Sequence, residues 1–289
     1  MRWVGDGCPP TCAQGEGGVR TMGTHRARMY GRPIGATVTY AGHATVVLDL
    51  PAGRLVTDPV LRDRIGYLQR ISPPVTDASL GAVDAVLVSH VHHDHLDGPS
   101  LRRLGTDVPV VAPRGARSLL VSKGVRTVVE LLPGEQATVA GLQVTATAAD
   151  HVVRRLPGGP LVPAVGYVIE GPPRVYFAGD TDLFDGMTEI GDRGLDLALL
   201  PISGWGPRTP PGHLDPVRAA QALRLLRPRT VVPIHWGTLA PIWWRRRPPE
   251  ERWAPPATFE REAAALAPDV EVRVLAPGEA LDLVPAPRS

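Results

Sequence analysis

Lysine is almost missing from this 289-residue chain: Lys123 is the only one, so nearly all of the positive charge is arginine. Cysteine is nearly as scarce, with Cys8 and Cys12 alone, both near the N-terminus. A disulfide within the body of the chain is thereby excluded, which suits a reducing compartment and gives a cytoplasmic protein as the expectation. Read functionally, the Cys-x-x-x-Cys spacing could bind a metal; read plainly, it belongs to an unstructured or untranslated leader. No apolar stretch is long enough to span a bilayer or to serve as a signal peptide, so no integral membrane association is expected. The net charge of +2 provides no electrostatic footing for nucleic acid. A Gly-x-Ser-x-Gly elbow and a Walker-type glycine cradle are both missing, and neither cysteine lies near a reactive motif. A serine or cysteine nucleophile is therefore not expected.

What remains is ample for a folded body. With 43% hydrophobic residues the chain can bury a substantial core, as one large domain or two small ones. Residues 1–35 are rich in glycine, polar residues and arginine without apolar periodicity. They read as a disordered N-terminal tail, with Met22 and Met29 as alternative starts. From Ala36 onward short apolar runs alternate with turns: strands are expected at Thr37–Tyr40, Ala44–Leu50, Arg54–Thr57, Asp84–Ser89, Val108–Val111, Arg126–Leu131 and Gly141–Ala148. The second half continues with strands at Ala164–Glu170, Arg174–Ala178, Leu195–Leu200, Thr230–Ile234 and Val270–Leu275. Helices are expected near Ser100–Leu104 and Gly115–Ser122, after Asp182, from Asp215-Pro216, and over Thr258–Leu266. In the helix opened by Asp215-Pro216, Asp215 serves as N-cap and Val217, Ala220, Leu223 and Leu226 form an apolar stripe. Two β-rich halves with helices at their margins predict an α/β sandwich of two sheets flanked by helices, one domain over 36–289.

The most informative segment is His90-Val91-His92-His93-Asp94-His95, directly after the Val-rich run ending at Ser89. Extended backbone continued past Ser89 would put His90 and His92 on one side, since side chains alternate with period two. Asp94 and His95 then turn to a second position, and Gly98-Pro99 ends the loop. Neutral imidazoles with a carboxylate are the ligands of divalent zinc, iron or manganese, and four of them so spaced can feed two adjacent ions. The alternative is a solvated His-rich loop, which needs neither the preceding strand nor this spacing. Two ions need further ligands, and isolated candidates do end other strands: His151 after Val144–Ala149, Asp180 after Val175–Ala178, His235 after Val231–Ile234. Singly each is an ordinary strand-end residue; with the histidine loop they read as one site.

The pattern His90-x-His92-x-Asp94-His95, then His151, Asp180 and His235, resembles the metallo-β-lactamase fold hydrolases. Gly42-His43-Ala44-Thr45-Val46, Thr57-Asp58-Pro59-Val60, Gly179-Asp180-Thr181, Leu200-Pro201-Ile202, His213-x-Asp215-Pro216 and Ile234-His235-Trp236-Gly237-Thr238 resemble one branch. That branch holds the N-acyl-phosphatidylethanolamine phospholipase D group and the ascorbate-6-phosphate lactonase group. The resemblance implies an αββα sandwich of two mixed β-sheets with a dinuclear site at one edge. It implies that His90, His92 and His151 hold a first metal and Asp94, His95 and His235 a second, with Asp180 bridging. The cofactors implied are two divalent metal ions, zinc first, with manganese or iron as alternatives. His213 is expected either to contact substrate or to be structural. His43 is expected to pack behind the ligands and Asp58 to form a turn; His25 and His93 have no assigned role.

Two ions roughly 3.5–4 Å apart can share a water and draw its pKa from 15.7 towards about 7. The expected reaction is attack of that bridging hydroxide on a phosphodiester, phospholipase D-like, with Asp94 orienting it as well as binding metal. The substrate class is a small-molecule or lipid-like phosphoester or ester. A lactonase acting on a sugar-phosphate lactone, another ester hydrolase on the same fold, or a non-catalytic metal-binding protein are the alternatives. The strip from Thr238 to Phe259, with Trp243, Trp244, Trp253 and Arg245-Arg246-Arg247, could form a rim suited to phosphate and an acyl or aromatic group. Its plain reading is a proline-rich loop packed on the body.

Overall fold

A computed structural model describes residues 35–205, 209–246 and 250–283. The tail expected over residues 1–35 lies outside the described residues except for Gly35, as do Cys8, Cys12 and His25.

The apolar runs form two seven-stranded sheets. The first is ordered β17 (Ala280–Leu283), β1 (Ala36–Gly42), β2 (Thr45–Asp49), β3 (Arg54–Thr57), β6 (Ala85–Leu87), β7 (Val110–Pro113), β8 (Val128–Leu131). The second is ordered β16 (Glu271–Val272), β14 (Thr230–Ile234), β13 (Leu197–Pro201), β12 (Val175–Phe177), β11 (Leu161–Ile169), β10 (Leu142–Arg154), β9 (Gln136–Val139). A small third sheet joins β4 (Arg64–Ile65), β5 (Leu68–Arg70) and β15 (Leu239–Pro241). Both large sheets repeat one pattern. Three antiparallel junctions join β17 to β3, then three parallel ones join β3 to β8. Likewise three antiparallel junctions join β9 to β12, and three parallel ones join β12 to β16.

Inward-facing Val38, Tyr40, Leu48, Leu55 and Leu87 of the first sheet share a buried cluster with Val144, Tyr167, Phe177 and Leu199 of the second. Helices cover the outer faces. Leu101 of α2 (Gly98–Leu104) and Leu120 of α3 (Arg117–Ser122) pack with Val86, Val88 and Val110. Ala219, Ala220 and Leu223 of α5 (Pro216–Leu226) and Phe259 and Ala263 of α6 (Glu250–Leu266) pack on the second sheet. The chain thus has the αββα sandwich expected of it. Two shorter helices, α1 (Asp77–Leu80) and α4 (Met187–Gly191), and a 3-10 turn over Ile242–Arg246 complete the described elements.

Several expectations need correction. In α5, Asp215 does cap, accepting from Arg218 N at 2.8 Å. The buried arc, however, is Ala219, Ala220, Ala222, Leu223 and Leu226, which turns Val217 outward at 39% exposure. Helix α6 begins at Glu250, ahead of the expected Thr258, and carries Pro255 and Pro256 inside it. The strand expected over Val270–Leu275 is only Glu271–Val272, and β17, which closes the first sheet against β1, escaped notice because its residues are half-exposed. The strand expected to stop at Ala148 runs to Arg154, its register with β11 breaking between Ala148 and Val152.

Candidate metal centre

Parallel strands of both sheets end at one edge, and each delivers a site residue from its carboxyl end. Strand β3 runs into Asp58, β6 into His90–His95, β12 into Gly179-Asp180, and β14 into His235. His151 arrives differently, from the break in β10, where the irregular register re-aims a side chain. The extended backbone expected through His92 ends at Leu87. Beyond it the loop turns, with the amides of His95 and Leu96 both donating to His92 O at 3.3 and 2.9 Å.

All eight sequence-predicted residues meet here. His90, His92 and His151 offer ring nitrogens within 4.8 Å of one another, and a carboxylate oxygen of Asp94 lies equally close to ring nitrogens of His95, His235 and His43. Between the two groups stands Asp180. Its Oδ2 lies 3.1 Å from His95 Nε2, 3.3 Å from His213 Nε2 and 3.8 Å from His90 Nε2, and its Oδ1 lies 3.3 Å from His235 Nε2. His93 is exposed.

Hydrogen-bond partners assign the tautomers. His95 Nδ1 donates to Asp58 Oδ2 at 2.7 Å, and His235 Nδ1 donates to Ser203 O at 2.6 Å. His151 Nδ1 donates to Gly212 O at 2.9 Å. Ser89 Oγ, whose own proton goes to Asp58 Oδ2 at 2.5 Å, accepts from His90 Nδ1 at 2.9 Å. Four Nε2 atoms are thereby turned inward. His92 adds its Nδ1, 3.0 Å from His90 Nε2 and 3.4 Å from His151 Nε2. Asp180 Oδ1 is buried and, among the described residues, receives no hydrogen bond, since the nearby Nε2 of His235 has no proton to give. A buried carboxylate oxygen left so amid converging lone pairs is costly unless a cation joins it. The donor set fits divalent metal ions.

Charge states divide the rings, with His95 apart from His90, His151 and His235. Burial, aided by neighbouring imidazoles, holds His90 well below the usual imidazole range, and burial lowers His151 to about 4 and His235 to about 3. All three are neutral at pH 7. For His95 burial acts the same way, but Asp180, Asp94 and Asp58 outweigh it and raise the ring well above its ordinary value. Burial also opposes ionisation of Asp94 and Asp180. The surrounding histidines win, His95 and His43 at Asp94 and His235 and His95 at Asp180, and hold both carboxyls far below the usual range.

Four supporting residues were under-read or missed. Asp58 does more than turn the chain: fully buried, it takes Ser89 N and Oγ and orients His95, the carboxylate–histidine arrangement that fixes a ligand's tautomer. His43 does more than pack, because its Nε2 donates to Asp94 Oδ2 at 2.9 Å. Trp205 Nε1 donates to that same oxygen at 2.8 Å, and nothing in the sequence marked Trp205. Arg155, from the end of the β10–β11 hairpin, ties the histidine loop by donating from Nη1 to the carbonyls of Val91, His92 and Leu96 at 2.8, 3.3 and 2.8 Å. His43 and His235 both adopt positive φ, 57° and 63°, which non-glycine residues seldom do. His235 N donates to His43 O at 2.7 Å, so each braces the other's strained backbone.

A sandwich of two mixed sheets with His and Asp ligands at the strand ends is the architecture of the metallo-β-lactamase fold hydrolases. Residues 53–236 match the beta-lactamase superfamily domain. The chain belongs to that superfamily and is an enzyme of its metal-dependent hydrolase class. It is 36% identical over 255 residues to a UPF0173 metal-dependent hydrolase of Rubrobacter xylanophilus, covering 86% of this chain and 96% of that one. It is also 36% identical to the uncharacterized protein Rv0906 of Mycobacterium tuberculosis, over 85% of this chain and 68% of that protein. Among solved structures, Igni18, a metallo hydrolase of Ignicoccus hospitalis, superposes with TM-score 0.65 at 27% identity, over 86% of this chain and 97% of its own.

Proposed function

We propose that this chain is a two-metal hydrolase of phosphodiester bonds, akin to the phospholipase D-like branch its motifs resemble. In this reading His90, His92 and His151 hold one ion, Asp94, His95 and His235 the other, and Asp180 is shared. Zinc is the first choice, manganese or iron the alternatives. The substrate would be a small molecule or lipid-like phosphoester met in the cytoplasm, with no nucleic acid involved. The observation that carries the proposal is the Asp180 carboxylate, whose Oδ1, without a hydrogen bond among the described residues, faces His235 Nε2 while its Oδ2 faces His95 Nε2. Bound there, two divalent ions would supply an activated water and charge for the struck group.

The protein's own groups then have separable tasks. Asp94 has Oδ2 fixed by His43 and Trp205, which sets the orientation of the carboxylate that would bind the ion and orient the attacking water. Burial works against a charged His213, but its bond to Asp180 outweighs that effect and raises the ring above its ordinary value, which favours a proton on Nε2. His213 stands on the open side of the site, its side chain 15% exposed, where that proton can be offered to the struck group or leaving oxygen. Asp58 keeps the His95 lone pair aimed inward. Asp58→Ala is expected to weaken metal affinity about 10–100-fold, measured by competition with a chromogenic chelator.

The test is chelation and reloading of the full chain, with a panel of phosphodiesters set against a panel of lactones and carboxylic esters. Removal of metal should abolish turnover and two equivalents of zinc per chain should restore it. A protein that binds no divalent ion, or turns over equally well when stripped, overturns the proposal. Acidification should weaken binding, because His95 carries a proton in the ion-free protein at neutral pH and an ion must displace it. Calorimetric titrations in buffers of different ionisation enthalpy should therefore report proton release, and none would contradict the ligand role of His95. One observation favours the second reading, an ester or lactone hydrolase: a cavity beside the site has no charged residue among its described lining. Faster turnover of the ester panel would decide for it.

A further inference from the structure

We infer that the cavity behind Trp205 receives an uncharged, apolar substituent of the substrate, aromatic or aliphatic, beyond the bond that is cleaved. The inference rests on the hydrolase reading above and names the substrate class at that site. The cavity has a volume of about 360 Å3, at the small end of the range of about 300–1,000 Å3 usual for small-ligand pockets. Ile71, Trp205, Leu239 and Trp244 supply apolar walls, and Thr209 and Thr258 add uncharged hydroxyl residues. It is joined to the metal centre through two residues. Ser203 lines it while its carbonyl accepts from His235 Nδ1 and its hydroxyl donates to His235 O at 2.9 Å. Trp205 lines it while its indole N–H is spent on Asp94. The polar groups nearest the centre are thus already committed inside the protein, and what they present to the cavity is ring and backbone.

An aromatic ladder leads from this wall to the surface. Trp205 meets Tyr67 edge-on at 6.1 Å, and Tyr67 stacks on Trp243 at 5.4 Å with the rings 16° apart. Tyr67 is 46% exposed, Ile242 40% and Trp243 69%, and Ile242 N donates to Tyr67 O at 3.0 Å, which makes the three one continuous patch. Single exposed apolar residues are ordinary, but a contiguous group beside a cavity marks a ligand surface. The neighbouring Trp244 lines the cavity itself, so the short 3-10 turn Ile242–Arg246 presents one indole to solvent and the next to the pocket. An occupant against Trp205 would also hold the indole N–H on Asp94 Oδ2. Filling the pocket and orienting Asp94 are thereby coupled.

Two arms test this on the zinc-loaded full chain. The first compares benzyl methylphosphonate, methyl methylphosphonate and 2-aminoethyl methylphosphonate by titration calorimetry. Their shared head group probes the metals and only the substituent differs. Burial of the ring is expected to make the benzyl compound about 10–100-fold tighter than the methyl one, with the cationic compound no better than methyl. Trp244→Ala, and Ala254→Glu placing a charge at an exposed position on the cavity wall, should each bring that ratio towards one. The second arm follows benzyl alcohol, which has no head group, by saturation-transfer NMR. It should bind the parent protein and not Ala254→Glu. Binding of benzyl alcohol with no phosphonate bound would uphold the pocket and sink the phosphodiester reading. Equal binding of benzyl and methyl compounds, a ratio unmoved in both variants, or no benzyl alcohol signal would overturn the inference.

Discussion

Asp94→Ala is expected to lower turnover by about 10²–10⁴-fold, the range seen when a positioned acid–base group is removed. Two separate losses combine. The second ion loses its only unshared carboxylate among the proposed ligands, and the attacking water loses the group that aims it. The scaffold is affected too, because the Nε2–H of His43 and the Nε1–H of Trp205 both end on Asp94 Oδ2 and would be left without an acceptor. Each orphaned buried donor costs about 1–3 kcal/mol. In the metal-free protein the loss is confined to these donors and to the attraction of His95 and His43 for the carboxylate, whereas the loaded protein also loses a ligand to an ion. The melting temperature should therefore fall less in the stripped variant than in the zinc-loaded one. Asp94→Asn separates the effects, since it keeps an oxygen for His43 and Trp205 while removing the charge. Turnover in Asp94→Ala within tenfold of the parent, measured on metal-verified protein, would refute the role given to Asp94.

Gly179→Ala is the second large effect, and it acts through backbone. Gly179 sits at φ +61° between β12 and Asp180, a conformation that L side chains rarely adopt. An added Cβ would run into Ser89 Cβ and stand 2.8 Å from Ser89 Oγ and 3.2 Å from Val165 O. None of these is the end of a flexible side chain. Ser89 is buried, with its N and Oγ both bound to Asp58 and its Oγ accepting from His90. Left-handed strain of about 1–2 kcal/mol adds to an overpacking cost of about 1–3 kcal/mol. The expected destabilisation is about 2–5 kcal/mol, read as a drop in the midpoint of thermal or urea unfolding. Because the clash pushes Ser89 and Asp180 apart, zinc affinity should fall as well. A variant with parent-like stability and zinc binding would show that the close approach of these two loops is not needed.

Much of this site was legible in the chain because its chemistry is concentrated. His90, His92, Asp94 and His95 lie within one short loop, and the strand before it announces itself by valine content and length. His151, Asp180 and His235 each follow an apolar run, so a reader looking for strand-end ligands meets them in turn. The sandwich was legible for the same reason, since period-two burial and turn residues are local. Helix α5 was legible at its cap and misjudged at its stripe, because an N-cap is a local hydrogen bond whereas the buried arc depends on where the sheet lies. Trp205 and Arg155 carried no local signal: their partners, Asp94 and the carbonyls of the histidine loop, are distant in the chain and touch them only after folding. The sequence by itself determined which side chains could serve as ligands and on which strands they ride, since donor type and alternation are properties of the residue and its neighbours. Tertiary structure alone decided which nitrogen each histidine turns inward, which carboxylate oxygen stays unpartnered and what lines the cavity beside Trp205. Those depend on contacts between segments that only the packing of the two sheets brings within hydrogen-bonding distance.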